Sequence, residues 1–173
     1  TVQSRPGHAL FNVARSPERE GTVRWVGPTF ETEVWLYKRR GAQPAIRTLD
    51  DARRVRRVCV QQGAGDEVLL RKLGFRNLDP VRSSGHALKM VALGRADLAP
   101  VGEIVFDALV REFRIDPDAL ERTPVRIFHS VGYIAFSPDT DPETIARWQA
   151  ALDALKRSER YKQLVRDYLT PAR

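Results

Sequence analysis

Cysteine is nearly missing from this sequence: Cys59 stands alone among 173 residues. No intrachain disulfide can form, so cysteine usage leaves both cytoplasm and periplasm open. No apolar run approaches the roughly 18 residues that a membrane-spanning helix needs. The opening residues, TVQSRPGHAL, lack the charged, apolar and small-residue segments of a signal peptide, which reads as an export signal already removed or never present. Histidine is equally scarce. His8, His86 and His129 fall on different elements, and Cys-x-x-Cys, His-x-x-x-His and Gly-x-Ser-x-Gly do not occur. These gaps argue against a metal centre and against the common hydrolase nucleophiles; no metal, cofactor or catalytic residue is expected. Repeats, low-complexity tracts and long linkers are lacking too, and 173 residues suffice for one core or two small lobes sharing a hinge.

The charge is one-sided, with 29 Lys and Arg against 22 Asp and Glu, a formal net of +7. An anionic partner is therefore thinkable. Most arginines are interleaved with acids, as in RSPEREGTVR and LVREFRIDPDALER, and the only dense basic run is RRVRRV at 53–58. Without interleaved aromatics or a groove-reading motif, nucleic acid is not expected as a partner, and the charge reads as solvated surface.

Short apolar runs bounded by turn residues predict strands at 8–14, 33–38, 57–60, 97–101 and 131–136. Helices lie between them. TLDD at 48–51 has the form of a capping box. GDEVLLRKLG places its N-cap at Asp66 or Gly65 and ends on Gly74, Ser84 is positioned to cap GHALKMVALG, and EIVFDALVREF is amphipathic. Asp141 and Pro142 open a helix whose Ile145, Trp148, Leu152 and Leu155 share a face. Ser158 starts another, with Tyr161, Leu164, Val165, Tyr168 and Leu169 aligned. Alternating short strands and helices of this kind predict an α/β fold with mainly parallel strands.

Two segments can hold an anion. In RVCVQQGAGDEVLL a strand runs through Gly63, Ala64 and Gly65 into a helix, gathering free amides and the positive end of the helix dipole at the strand's carboxyl end. Open α/β sheets bind ligands there, although a purely structural turn has the same composition. In NVARSPER, Ser16 and Pro17 follow a strand, and Arg19 can offer its guanidinium fork to a carboxylate; the alternative is a surface pair with Glu18 or Glu20. Cys59 itself reads as a small buried hydrophobe.

The ordered set LFNVARSPERE, RWVGP, EVWLYKRRG, IRTLDDARRVRRVCVQQGAGDEVLLRKLGF, NLDPVRSSGHALKMVALGRADLAPVGE and GYIAFSPDTDPETIARWQAALDALKRSERYKQLVRDYL resembles the amino-acid-type solute-binding proteins of bacterial ABC transporters, over essentially the whole chain. That resemblance implies the type II periplasmic binding-protein fold, two α/β lobes joined by crossing strands near 32–34 and 131–133. Residues 33–133 are expected to form the second lobe. Residues 1–32 and 134–173 are expected to form an incomplete first lobe with the C-terminal helices, because the family's opening elements should precede HALFNVA. Residue by residue, Arg19 matches the arginine that grips a ligand's α-carboxylate, and Asn12 and Ala14 match hydrogen-bonding positions. Gly63, Gly65 and Asp66 lie where helix-terminal amides meet that carboxylate. The family's ammonium-binding acid falls at Gly102, with Glu103 one residue later. The implied protein is periplasmic and non-enzymatic, binds a small carboxylate-bearing solute and docks on a membrane permease. Exposed apolar faces on the incomplete lobe imply a homodimer. The alternative is a degenerate relative acting as a sensory or protein-interaction module. An enzyme on this scaffold would have Glu103 as its single acid/base candidate.

Overall fold

A computed structural model describes residues 2–15, 19–165 and 167. Among them run β1 (Ala9–Ala14), β2 (Arg24–Arg39), α1 (Leu49–Arg54), β3 (Val58–Gln61), α2 (Gly65–Lys72), β4 (Leu78–Val81) and α3 (Ser84–Ala92). Then follow β5 (Leu98–Gly102), α4 (Phe106–Glu112), β6 (Leu120–Phe136), α5 (Pro142–Arg157) and α6 (Glu159–Leu164). The strand order is β1-β6-β2-β5-β3-β4. The chain divides into two compact units, one holding the described residues up to Thr32 and from His129 onward, the other Glu33–Phe128. Strands β2 and β6 contribute to both.

In the Glu33–Phe128 unit the strands alternate their side chains between two cores. Leu36, Val58, Val60 and Leu98 join Ala52 of α1 and Leu70 of α2 on one face. Tyr37, Cys59, Ala99 and Val101 meet Leu88 and Val91 of α3 and Val110 of α4 on the other. A strand such as VCV is apolar throughout because helices cover both of its faces. Burial pushes the Cys59 thiol up to about 11, so it packs as a hydrophobe.

The expectation of mainly parallel strands needs correction. Strand β3 is parallel to β4 and β5, where α2 and α3 supply the crossovers, but β2 runs antiparallel to β5 and β1 antiparallel to β6. Strand β4, reading LDPV, gives no apolar run, and its Pro80 is tolerated because β4 is an edge. Strands β2 and β6 are far longer than 33–38 and 131–136, since polar stretches such as ERTPV carry no period-2 signal yet still pair.

The capping box at Thr48 and Asp51 forms, and Asp141 and Ser158 cap α5 and α6. Two caps shift. Ser83 caps α3 by accepting from the His86 amide, because the Ser84 hydroxyl instead donates to Gln61 Oε1 at 3.0 Å. Ala64 caps α2 without a side-chain bond, since the Asp66 carboxylate is taken by the adjacent Glu67 amide.

In the other unit, Ala9 pairs with Phe136 and Ala14 with Gly132, with an irregularity between Leu10 and Val13 where Asn12 adopts φ 59. Its core is small: Val26, Ile134 and Phe136, with Ile145 and Leu152 of α5 packed against them. Gly132 lies so close to the Phe30 ring that an added Cβ would come within 2.1 Å, which requires glycine. Tyr168 and Leu169, read as part of the last helical face, lie outside the described residues, as do Ser16 and Pro17.

Candidate functional site

Parallel β3, β4 and β5 all deliver their carboxyl ends to one edge of the Glu33–Phe128 unit, and the loops there carry its expected site residues. Gly63 turns the chain with φ +73, a conformation that glycine adopts without strain. Its amide donates to Glu67 Oε2 at 2.6 Å, and Glu67 Oε1 in turn accepts from Arg71 at 2.7 Å. One of the amides expected to meet a ligand carboxylate is thus already held by a carboxylate of the chain. Gly65 and Asp66 occupy the first turn of α2. Asp66 is buried, and loss of hydration pushes its carboxyl up to about 6 despite the amide bond from Glu67.

Glu103 follows β5 in a single 3-10 turn and accepts from Arg122 Nη1 of β6 at 2.6 Å. The Arg122 guanidinium lies 4.6 Å from the centre of the Trp35 ring. Tyr37 stacks on Phe106, and its phenol is pushed up to about 12, first by burial and then by Glu103. Arg122 and Trp35 were not found from the sequence. They sit on different long strands, and no local spacing announces a partner that only sheet pairing brings near.

In the other unit, Ala14 ends β1 and Arg19 lies in the turn that follows. Arg19 Nη1 donates to the Ala14 carbonyl at 3.0 Å. Glu20 does not pair with Arg19: it takes Arg15 bidentately at 2.6 and 3.0 Å, and this bond holds the Glu20 carboxyl below its usual range. Arg15 also lies over the rings of Trp25 and Tyr133. No carboxylate among the described residues pairs with Arg19; Glu18 lies outside them. Arg19 lines a cavity of about 210 Å³ whose apolar wall includes Leu10, Val13, Val23 and Trp25. Asn12 is exposed on the same strand. The histidines are held locally, His8 by the Pro6 carbonyl, His86 by Ser83 and His129 beside Glu31.

No family model matches the chain, and no curated protein matches it in sequence. Solved structures do match. A mutant of ArgBP from T. maritima superposes with TM-score 0.75 at 19% identity, over 91% of this chain and 66% of that one. A histidine kinase sensor domain with similarity to periplasmic binding proteins gives 0.77 at 22% identity, over 93% and 69%. The chain has the type II periplasmic binding-protein fold. An amino acid ABC transporter substrate-binding protein from Streptococcus pneumoniae bound to L-arginine shares this fold with TM-score 0.76 at 17% identity, over 91% of this chain and 65% of its own. The chain thus spans about two thirds of the length of the periplasmic binding-type proteins it matches. No helix among the described residues is long and apolar enough to cross a membrane.

Proposed function

We propose that the protein is a non-enzymatic solute-binding protein for a small carboxylate-bearing solute such as an amino acid, working in the periplasm with a membrane permease. The observation that carries this reading is Arg19, a guanidinium with no carboxylate partner among the described residues, set beside apolar walls at the carboxyl end of β1. In the unit that holds β1, Arg19 grips the solute carboxylate and Asn12 and Ala14 add hydrogen bonds; in the Glu33–Phe128 unit, Gly63, Gly65 and Asp66 offer helix-terminal amides to an anionic group. A solute reaching the Gly63 amide displaces Glu67 from it. Glu103, held by Arg122, provides a carboxylate at the end of β5 for a positively charged solute group. The solved neighbours, described as binding proteins and a sensor domain, support a binding role on this fold.

A thermal-shift screen against amino acids and small carboxylates, run on the parent and on Arg19→Ala, tests the reading. Saturation at about 100 times Kd stabilises by about 2.7 kcal/mol, which raises the melting temperature by roughly 5–10 °C for a chain of this size. The rise is expected in the parent and is expected to disappear in Arg19→Ala.

A second reading is a sensory or protein-interaction module without solute binding. Two observations favour it: the Gly63 amide and the Glu103 carboxylate are both satisfied by residues of the chain itself. A silent screen would support this second reading.

A further inference from the structure

The outer side of α3 carries a concavity that none of the proposed solute-binding residues lines. Its floor is apolar, formed by Val81, Met90, Leu93 and Phe113, and its volume is about 620 Å³. Arg82, His86, Lys89 and Arg95 complete its lining, all exposed, and no carboxylate takes part. None of Arg82, Lys89 and Arg95 makes a side-chain hydrogen bond or ion pair with a described residue. Several other arginines of this unit find acids, as Arg57 finds Asp79, Arg71 finds Glu67 and Arg126 finds Glu33. Three unpaired cationic side chains thus share the rim of one groove with an apolar floor.

We propose that this groove docks an acidic polypeptide segment of a partner protein, with carboxylates on the Arg82, Lys89 and Arg95 rim and an apolar side chain on the floor. Leu93 is the C-cap of α3 and is 56% exposed, although the turn at this helix end needs only the positive φ of Gly94. A large apolar residue is not required there by the fold, and beside a cationic rim it gives a partner a place to bury surface. Shape and composition favour polypeptide over other anions. A bilayer surface engages apolar protrusions and not a concavity, and single-stranded nucleic acid needs open aromatic faces to stack on. The only aromatic carbocycle here, Phe113, is partly buried with its ring edge-to-face with His86 at 5.0 Å. Complementary charge would set the encounter rate and specificity, and the floor contact would set the lifetime.

The test is fluorescence anisotropy with a labelled peptide of alternating Glu and Leu, against the full chain and its variants. The peptide is expected to bind the parent, and the triple variant Arg82→Glu, Lys89→Glu, Arg95→Glu is expected to raise Kd about tenfold or more. Leu93→Ser should also weaken binding, and so should replacing the peptide's leucines by serine. A charge-matched control on the other unit, Arg147→Glu, Arg157→Glu, Arg160→Glu, should leave Kd within about twofold of the parent. Equal weakening by the control triple would show general attraction to a basic protein and overturn the proposal. Equal binding of the serine peptide would also overturn it, as would variants that change affinity for phosphatidylserine vesicles but not for the peptide. If the charge triple does not fold, as judged by circular dichroism, Leu93→Ser and the serine peptide decide the matter alone.

Discussion

Asp66 and Glu67 are adjacent in sequence and face opposite electrostatic circumstances. Glu67 accepts from Arg71 and from the Gly63 amide, bonds that favour the charged form and hold its pKa low. Asp66 points into a dry environment that disfavours charge, and its carboxyl rises from 3.8 to about 6. The consequence is a pH dependence opposite to the usual carboxylate pattern. Between pH about 4 and 6 the folded chain keeps a proton on Asp66 that the unfolded chain has released, so stability from this group falls as pH rises through that window. Asp66→Asn keeps an oxygen to accept from the Glu67 amide and removes the ionisation. It is expected to be more stable than the parent at pH 7.5 by up to about 3 kcal/mol, and to lose most of that advantage at pH 4. Urea midpoints of both proteins at the two pH values check this; an advantage that does not change with pH would refute the assignment. Glu20, Asp51 and Asp141 titrate in the opposite sense, since hydrogen bonds hold them low, and comparison with the variant cancels their contribution.

At the scale of elements, α3 shows how closely helix and sheet are fitted in the Glu33–Phe128 unit. Its second residue, Gly85, is buried, and an added Cβ would come within 2.0 Å of the Phe113 ring at the end of α4. Alanine normally stabilises a helix over glycine by up to about 1 kcal/mol, but overpacking costs about 1–3 kcal/mol where the neighbour cannot give way. Phe113 is held by His86 and by the core formed around α3 and α4. Gly85→Ala is therefore expected to lower the urea midpoint, and the loss should shrink in a Phe113→Leu background. A gain in stability from Gly85→Ala in the parent would mean that the ring moves aside freely. Much at this scale was readable in advance. Thr48, Asp141 and Ser158 announce their helices because capping is a local contact between residues three apart. Strand β4 and the outer halves of β2 and β6 were missed, because an edge with Pro80 or a polar ladder such as ERTPV pairs through backbone groups that leave no side-chain pattern. The candidate site divides in the same way. Arg19 and the Gly63–Asp66 turn were legible as strand-end motifs, whereas the Arg122 partner of Glu103 depends on the β6 pairing.

At the scale of the whole molecule, the two units differ in how well they bury their apolar surface. The Glu33–Phe128 unit holds two cores, while the other relies on Val26, Ile134 and Phe136 and leaves much of α5 uncovered. Leu10 and Phe11 on β1 are more than half exposed, and Trp148 of α5, edge-on to both Phe11 and Phe136, is 43% exposed. β1 is also the last strand in the sheet order, so one side of its backbone has no strand partner among the described residues. An exposed apolar edge strand is a template for pairing, and a second copy of the chain presents the same edge, which an isologous contact can use. We propose a homodimer through β1 and α5. Light scattering at micromolar concentration is expected to report twice the mass of the 173-residue chain, and Phe11→Ser with Trp148→Glu is expected to return it to the single mass. The double variant removes apolar area from the proposed contact and takes only half-exposed rings from the unit itself, so its melting temperature extrapolated to low concentration should change by only a few degrees. A parent that stays at the single mass from micromolar to higher concentration would rule the dimer out, and its exposed edge would then need another partner to cover it.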